Sequence, residues 1–236
     1  MESMESLNIT YSFGFDGQET KSFHLLIDPT TMFIVEKNKL TPPDWAELKS
    51  FKCPNCPLDV KRHKYCPLAK HLSFIIDFFQ AFPSYHEAIV TVETDERTSF
   101  KETTVQLGVG SLMGIIMSCS GCPVIGKLSS LARFHLPFAS IEETEYRVLA
   151  IYIVAQYVKM KQGEKPDWQL KNLKHLYEEI QIVNKNIVEK LSDVEMNDTS
   201  RNAVVTLSNF AEYIIWNIED KKFNHIENIV SSFKSI

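Results

Sequence analysis

The residues with most chemical potential are five cysteines, at positions 53, 56, 66, 119 and 122. They form a C-x2-C pair, a third cysteine nine residues on, and a distant second C-x2-C pair, and each group is followed by proline at 57, 67 or 123. Two such pairs from separate segments are the usual route to a tetrahedral thiolate site, because a tight turn aims both sulfurs of a pair at one ion. Pro54, inside the first pair, favours that turn by fixing its own backbone and removing a donor. Five thiols exceed the places on one zinc ion. Pro123 suits a first helical turn, and a helix amino terminus stabilises a thiolate, so Cys122 is the better ligand of its pair. The expected quartet is Cys53, Cys56, Cys66 and Cys122, with Cys119 and His135 in reserve; His63 and His71 are further candidate fourth ligands. The basic residues Lys52, Lys61, Arg62, Lys64 and Lys70, set against Asp59 alone, would then offset the negative charge of a zinc tetrathiolate.

Spacing does not separate zinc from an iron-sulfur cluster, since proline directly after a ligating cysteine also occurs in cluster-binding runs. Unmetallated core thiols are the third reading, because free cysteine is among the most buried residue types. A thiol redox role is a fourth. CPNC resembles the glutaredoxin pattern, but Pro57 follows at once and no parallel βαβ unit surrounds it. A second concentration of polar groups lies in RFHLPFASIEETEYR, residues 133 to 147, with Arg133, His135, Glu142, Glu143 and Glu145. Its simpler account is a helix start, where acids favour the dipole and the phenylalanines pack. No G-x-S-x-G, Gly-rich phosphate loop or H-E-x-x-H is present, so no reaction is named.

These residues must be positioned by two kinds of element. Ile9, Tyr11, Phe13 and Phe15 alternate with small or polar residues, as do Phe23, Leu25 and Ile27 after the turn signal Asp16-Gly17, which predicts a hairpin. Met32 to Val35 reads as a third strand, and LTPPDWAELK as a helix start. Leu72 to Phe82 is apolar on most sides, as in a buried helix. EAIVTVETDERTSFKETTV reads as a second hairpin.

From Thr104 the period becomes helical. Val109, Leu112, Met113 and Ile116 form a stripe, with Gly110 and Gly114 open to close approach. Ser140 and Glu143 form a capping box for a helix with Tyr146, Leu149, Ala150, Ile153 and Tyr157 on its core face, ended by Gly163 and Pro166. Leu170, Leu173, Tyr177, Ile180, Ile187 and Leu191 mark the next helix, Ala203, Leu207, Phe210, Ile214 and Ile218 another, and a short helix ends the chain. The expected fold is α+β: an N-terminal antiparallel β region and a C-terminal α-helical array, linked by the cysteine-rich segment. The 236 residues fit one domain, with a β-rich part at 1–50, a cysteine-bearing mixed part at 51–136 and a helical part at 137–236.

Hydrophobic residues at 44% and charged residues at 23%, without low-complexity tracts, place the chain among globular proteins. A net charge of −5 argues against a surface built to hold nucleic acid. The start MESMESLNITYSF lacks a basic region followed by an apolar run, and LGVGSLMGIIM is too short to span a bilayer, so a cytoplasmic protein without membrane segments is expected.

The blocks CPNCPL, YCPLAKHL, SGCP and FHLPFASIEETEYR, taken together, resemble an uncharacterised family of bacterial proteins classified as a domain of unknown function. The resemblance covers most of the chain. It implies a bacterial intracellular protein and supports treating Cys53, Cys56, Cys66 and Cys122 as one constellation, but brings no activity, cofactor or partner. The functional expectation is a binding or regulatory module held by structural zinc, which would close the 62 residues between Cys56 and Cys119. The alternative is an iron-sulfur or thiol redox protein using the same cysteines.

Overall fold

Alternation of apolar and polar residues builds the first elements as the pattern requires. In the computed structural model, which describes residues 6–15, 19–36, 41–79, 82–192, 198–220 and 223–234, β1 (Leu7–Gly14) and β2 (Lys21–Ile27) pair antiparallel, with Tyr11 opposite Phe23. The Asp16-Gly17 turn signal lies outside the described residues. β3 (Glu87–Thr94) and β4 (Thr98–Thr104) form the second hairpin, and β3 pairs antiparallel with β1, giving the order β2-β1-β3-β4. Ile9, Tyr11, Phe13, Leu25, Ile27, Ala88, Val90 and Val92 point to one face and are buried. The expected third strand is a single bridge: Ile34 pairs with Ile27, and its N–H goes to the carbonyl of Cys119 (2.9 Å) instead of continuing the sheet.

The helices are α1 (Leu48–Phe51), α2 (Pro67–Phe79), α3 (Val105–Cys119), α4 (Ser130–Arg133), α5 (Ile141–Lys161), α6 (Lys171–Ser192), α7 (Asp198–Asp220) and α8 (Asn224–Ile229). The fold is therefore α+β, with an N-terminal antiparallel sheet and C-terminal helices. α2 and α3 contact each other and α3 lies on the inner sheet face, while α7 packs on the far side of α3 and α6 packs against α7. Phe13 meets Phe79 edge-on at 4.7 Å between ring centroids, and Phe15 stacks on Phe82 at 4.5 Å, so aromatic packing joins the sheet to α2 and the residues after it.

Local signals set the boundaries of α5. Ser140 Oγ accepts from the Glu143 N–H and the Glu143 carboxylate accepts from the Ser140 N–H, closing the expected capping box. Beyond the helix, Gly163 adopts a φ of +82°, a conformation that favours glycine. Its expected core face is only half covered: Leu149 is buried, but Tyr146, Ile153 and Tyr157 are exposed. Periodicity identifies an apolar face without supplying a neighbour to cover it, and the C-terminal half of α5 has little packed against it.

The closest approach in the core involves a glycine other than the two expected. A Cβ at Gly110 or Gly114 would meet only the Ala203 Cβ at 4.0 Å or Leu207 Cδ2 at 3.9 Å, both ordinary contacts with side chains of α7. A Cβ at Gly108 would lie 2.8 Å from both Phe13 Cε1 and Val90 Cγ2. Gly108 therefore sets how deeply α3 seats on the sheet. Gly108→Ala is expected to lower the unfolding free energy by about 1–3 kcal/mol through overpacking, whereas Gly110→Ala should cost less than about 0.5 kcal/mol; urea denaturation of the two variants checks the contrast.

Candidate functional site

The cysteine segment is placed by short-range backbone bonds. The Cys56 N–H donates to the Cys53 carbonyl (3.0 Å), closing the turn around Pro54, and the Cys66 N–H donates to the Ala46 carbonyl (2.9 Å) just before α2. Cys66 Sγ accepts from the backbone N–H groups of Leu68 and Ala69, and Cys122 Sγ from those of Val124 and Ile125. Cys53 Sγ accepts from Asn186 Nδ2 at 3.3 Å. Cys53, Cys56, Cys66 and Cys122 influence one another electrostatically, while Cys119, in the last turn of α3, has its sulfur 3.9 Å from Ser118 Oγ. Burial pushes the thiols up, Cys53 to about 12 and Cys66 and Cys119 each to about 11, with Cys122 raised in the same direction.

The metal reading is corrected here. Among the described residues, no group of three or more His, Cys, Asp or Glu side chains is disposed to hold a metal ion. The surrounding charges are committed elsewhere: Lys52 Nζ donates to the Leu58 carbonyl (2.6 Å), Lys64 sits 3.9 Å from Glu47, and Lys70 pairs with Glu36 at 2.6 Å. Three of the five basic residues expected to offset thiolates, Lys52, Lys64 and Lys70, thus answer carboxylates and a carbonyl. The joint to the helical half, expected to be metal, consists of amide hydrogen bonds. Asn55 Nδ2 donates to the Glu179 carbonyl (3.0 Å) and carboxylate (2.7 Å), and Asn186 Nδ2 reaches both the Phe51 carbonyl and Cys53 Sγ at 3.3 Å. A metal-held module, whether by zinc or by an iron-sulfur cluster, is therefore not what the fold supports. Of the histidines, His71 lies 3.6 Å from Glu36, and His135 belongs to a different cluster.

That cluster centres on Tyr11, whose ring β1 buries completely. Its Oη lies 2.8 Å from Ser111 Oγ and 2.5 Å from His135 Nε2, and the Phe138 N–H donates to Ser111 Oγ at 3.2 Å. Burial raises the Tyr11 pKa far above the ordinary tyrosine range and lowers His135 to about 4, with the nearby Arg147 charge acting in the same direction on His135. The proton assignment consistent with these contacts has Tyr11 donating to Nε2 of neutral His135 and Ser111 donating to Tyr11. Because His135 reaches Tyr11 and not Ser111, this is a positioning network rather than a nucleophile-base pair. Nearby, Arg147 Nη2 donates to the carbonyls of Leu131 (2.7 Å) and Phe134 (2.9 Å), fixing the α4–α5 connection. Glu145, expected merely to favour the helix dipole, is fully buried. It accepts from Asn217 Nδ2 (2.7 Å) and meets His225 Nε2 at 2.5 Å, tying α5 to α7 and α8.

A concavity opens beside this network. It is a cleft of about 550 Å³ between α3, the α4–α5 connection, α6 and α7. Small residues of α3, Gly110, Ser111, Gly114 and Ser118, form one wall; Leu207 and Phe210 of α7 form another. Leu107, Leu136 and Ile141 are exposed and stand at its rim. Tyr177 and Asn184 of α6 also line it and are about 1% exposed, yet Tyr177 Oη and Asn184 Oδ1 have no hydrogen-bond partner among the described residues. Reading the sequence for core stripes placed Tyr177 correctly in the interior and overlooked Asn184. The available signal was its spacing: 173, 177, 180, 184, 187 and 191 continue one helix face, and Asn184 is its polar member.

The family "Domain of unknown function (DUF6901)" matches residues 9–233. The chain belongs to that family. No curated protein and no solved structure matches it. Among the described residues, no helix is long and apolar enough to cross a membrane.

The depressed pKa of His135 has a thermodynamic consequence. A base whose folded pKa lies below its unfolded value of 6.5 contributes stability that is complete above that value and is lost as pH falls toward the folded value of about 4. His71, also lowered by burial, acts in the same direction. Unfolding free energy should therefore drop between pH 6.5 and 4, with His135 contributing up to about 3 kcal/mol. Urea denaturation across this range should show a shallower decline for His135→Asn than for the native chain; identical slopes would assign the decline to other groups.

Proposed function

We propose that this protein binds a small, largely apolar molecule in the cleft between α3, α6 and α7. The observation that carries the reading is the pair of orphaned polar atoms, Tyr177 Oη and Asn184 Oδ1, on residues that line a predominantly apolar concavity. A buried hydroxyl or carbonyl without a partner costs roughly 1–3 kcal/mol. Such a cost is understandable where a ligand supplies the missing bonds, and a concavity with an apolar lining and a few convergent polar groups is the usual form of a small-molecule site. The cleft volume of about 550 Å³ lies within the range that such sites occupy, roughly 300–1,000 Å³. The small residues on the α3 wall support the same reading, since a larger side chain at Gly110 or Gly114 would occupy the space. The phenol can donate and the amide carbonyl can accept, so the ligand is expected to present an acceptor and a donor along its apolar body.

Two kinds of variant test the proposal. Tyr177→Phe and Asn184→Leu remove the orphaned atoms and are expected to leave the unliganded protein as stable as the native chain or more so, which contrasts with ordinary core substitutions. Leu207→Trp fills the cleft and should abolish binding of the neutral polarity-sensitive dye Nile red while preserving the circular dichroism spectrum. Large destabilisation by Tyr177→Phe together with unchanged dye binding by Leu207→Trp would refute the reading.

A further inference from the structure

The charge of the cleft lining is one-sided. The chain carries 30 acidic and 25 Lys or Arg residues, yet among the described residues that line the cleft there are two cations, Lys101 and Arg147, and no Asp or Glu. Lys101 lies on β4 and is exposed to solvent. Arg147 is half-buried on α5, and its Nη2 is taken by the Leu131 and Phe134 carbonyls. No further hydrogen bond of its guanidinium is found among the described residues. The acid that acts on it electrostatically, Glu143, spends one carboxylate oxygen on the Ser140 N–H at 2.7 Å as part of the helix cap. His135, the remaining titratable group beside Arg147, is held neutral within the Tyr11 network.

From this arrangement we infer that the ligand is an amphipathic anion, an apolar chain that ends in a carboxylate against Arg147 and that carries, between α3 and α7, the polar group that Tyr177 and Asn184 lack. The inference rests on the cleft being a small-molecule site and adds the charge and position of the head group. The guanidinium is pinned by two carbonyls, so a carboxylate meets pre-oriented donors without ordering a free side chain. The apolar rim residues Leu107, Leu136 and Ile141 give the chain an entrance, and Lys101 on the exposed strand draws the anion toward it.

The test uses the full chain and competition with Nile red, with dodecanoate, 1-dodecanol and dodecyltrimethylammonium as probes below their micellar concentrations. Dodecanoate is expected to displace the dye at least about tenfold more effectively than the alcohol, as a charge-assisted hydrogen bond to a partly buried guanidinium implies, and the ammonium compound should be weakest. Arg147→Gln should reduce the advantage of acid over alcohol to less than about threefold, and Arg147→Lys should retain part of it, since charge survives without the fork. Lys101→Gln, on an exposed strand residue, should weaken dodecanoate alone and only by a factor of about two or three. Should Arg147→Gln lose the dye as well, the wild-type preference decides: an acid-to-alcohol ratio that falls at high salt supports the inference, and one that ignores salt overturns it. Equal displacement by acid and alcohol in the native chain overturns the anionic head group and leaves the cleft reading intact. Dye binding that is absent, or indifferent to Leu207→Trp, overturns both.

Discussion

The arrangement depends on α3 being packed on two sides at once. Gly108 lets the helix sit against Phe13 and Val90 where no Cβ would fit, and Val105, Val109, Leu112, Met113 and Ile116 are buried around it. A helix that is apolar nearly all round must find neighbours on every side, and here they are the sheet, α2 and α7. Once one side is committed to the sheet, Gly110 and Gly114 are left facing Ala203 and Leu207 of α7. The size of the two glycines sets the width of the cleft. The same placement brings Ser111 to Tyr11, so a tyrosine from the sheet, a serine from α3 and a histidine from the α4–α5 connection meet in one network. Fold and site are two consequences of one packing decision.

The polar groups in this interior divide into satisfied and unsatisfied. Tyr11, Ser111, His135 and the Phe138 N–H complete one another, and Glu145 finds both Asn217 and His225. These bonds fasten α5 at its N-terminal half to the rest of the protein. Tyr177 and Asn184 have no such partners, although they lie on a helix whose other inward residues, Leu173, Ile180, Ile187 and Leu191, are ordinary core. Since buried polar groups are almost always hydrogen-bonded, the contrast within one helix supports the cleft reading; Asn55 Oδ1, beside the cysteines, and Ser200 Oγ are likewise without a partner among the described residues.

What could be read from the sequence was what neighbouring residues decide. The two hairpins, the Ser140–Glu143 capping box and the Gly163 helix end follow from spacing and conformational preference, and all appear. What depended on distant partners could not be read in the same way. The C-x2-C spacing says which sulfurs could turn toward each other, but not that Asn186 would approach one sulfur or that the nearby lysines would answer Glu47 and Glu36. The apolar stripe of α5 runs from Tyr146 to Tyr157 in sequence, while its covering in space is partial, leaving Tyr146, Ile153 and Tyr157 exposed. Asn184 was visible as a polar residue on an apolar face, whereas the missing partner of Tyr177 is a property of the assembled interior alone.

The most direct measurement of the central claim is a methyl NMR titration of the full chain with dodecanoate. Ile115, Ile180 and Leu207, which line the cleft, should shift together and saturate at one equivalent. Leu58 and Val60 beside the cysteines, and Ile9 on the sheet, should stay in place. Saturable shifts at Leu58 and Val60 with none at Ile115, Ile180 and Leu207 would contradict the account and return the site to the cysteine segment.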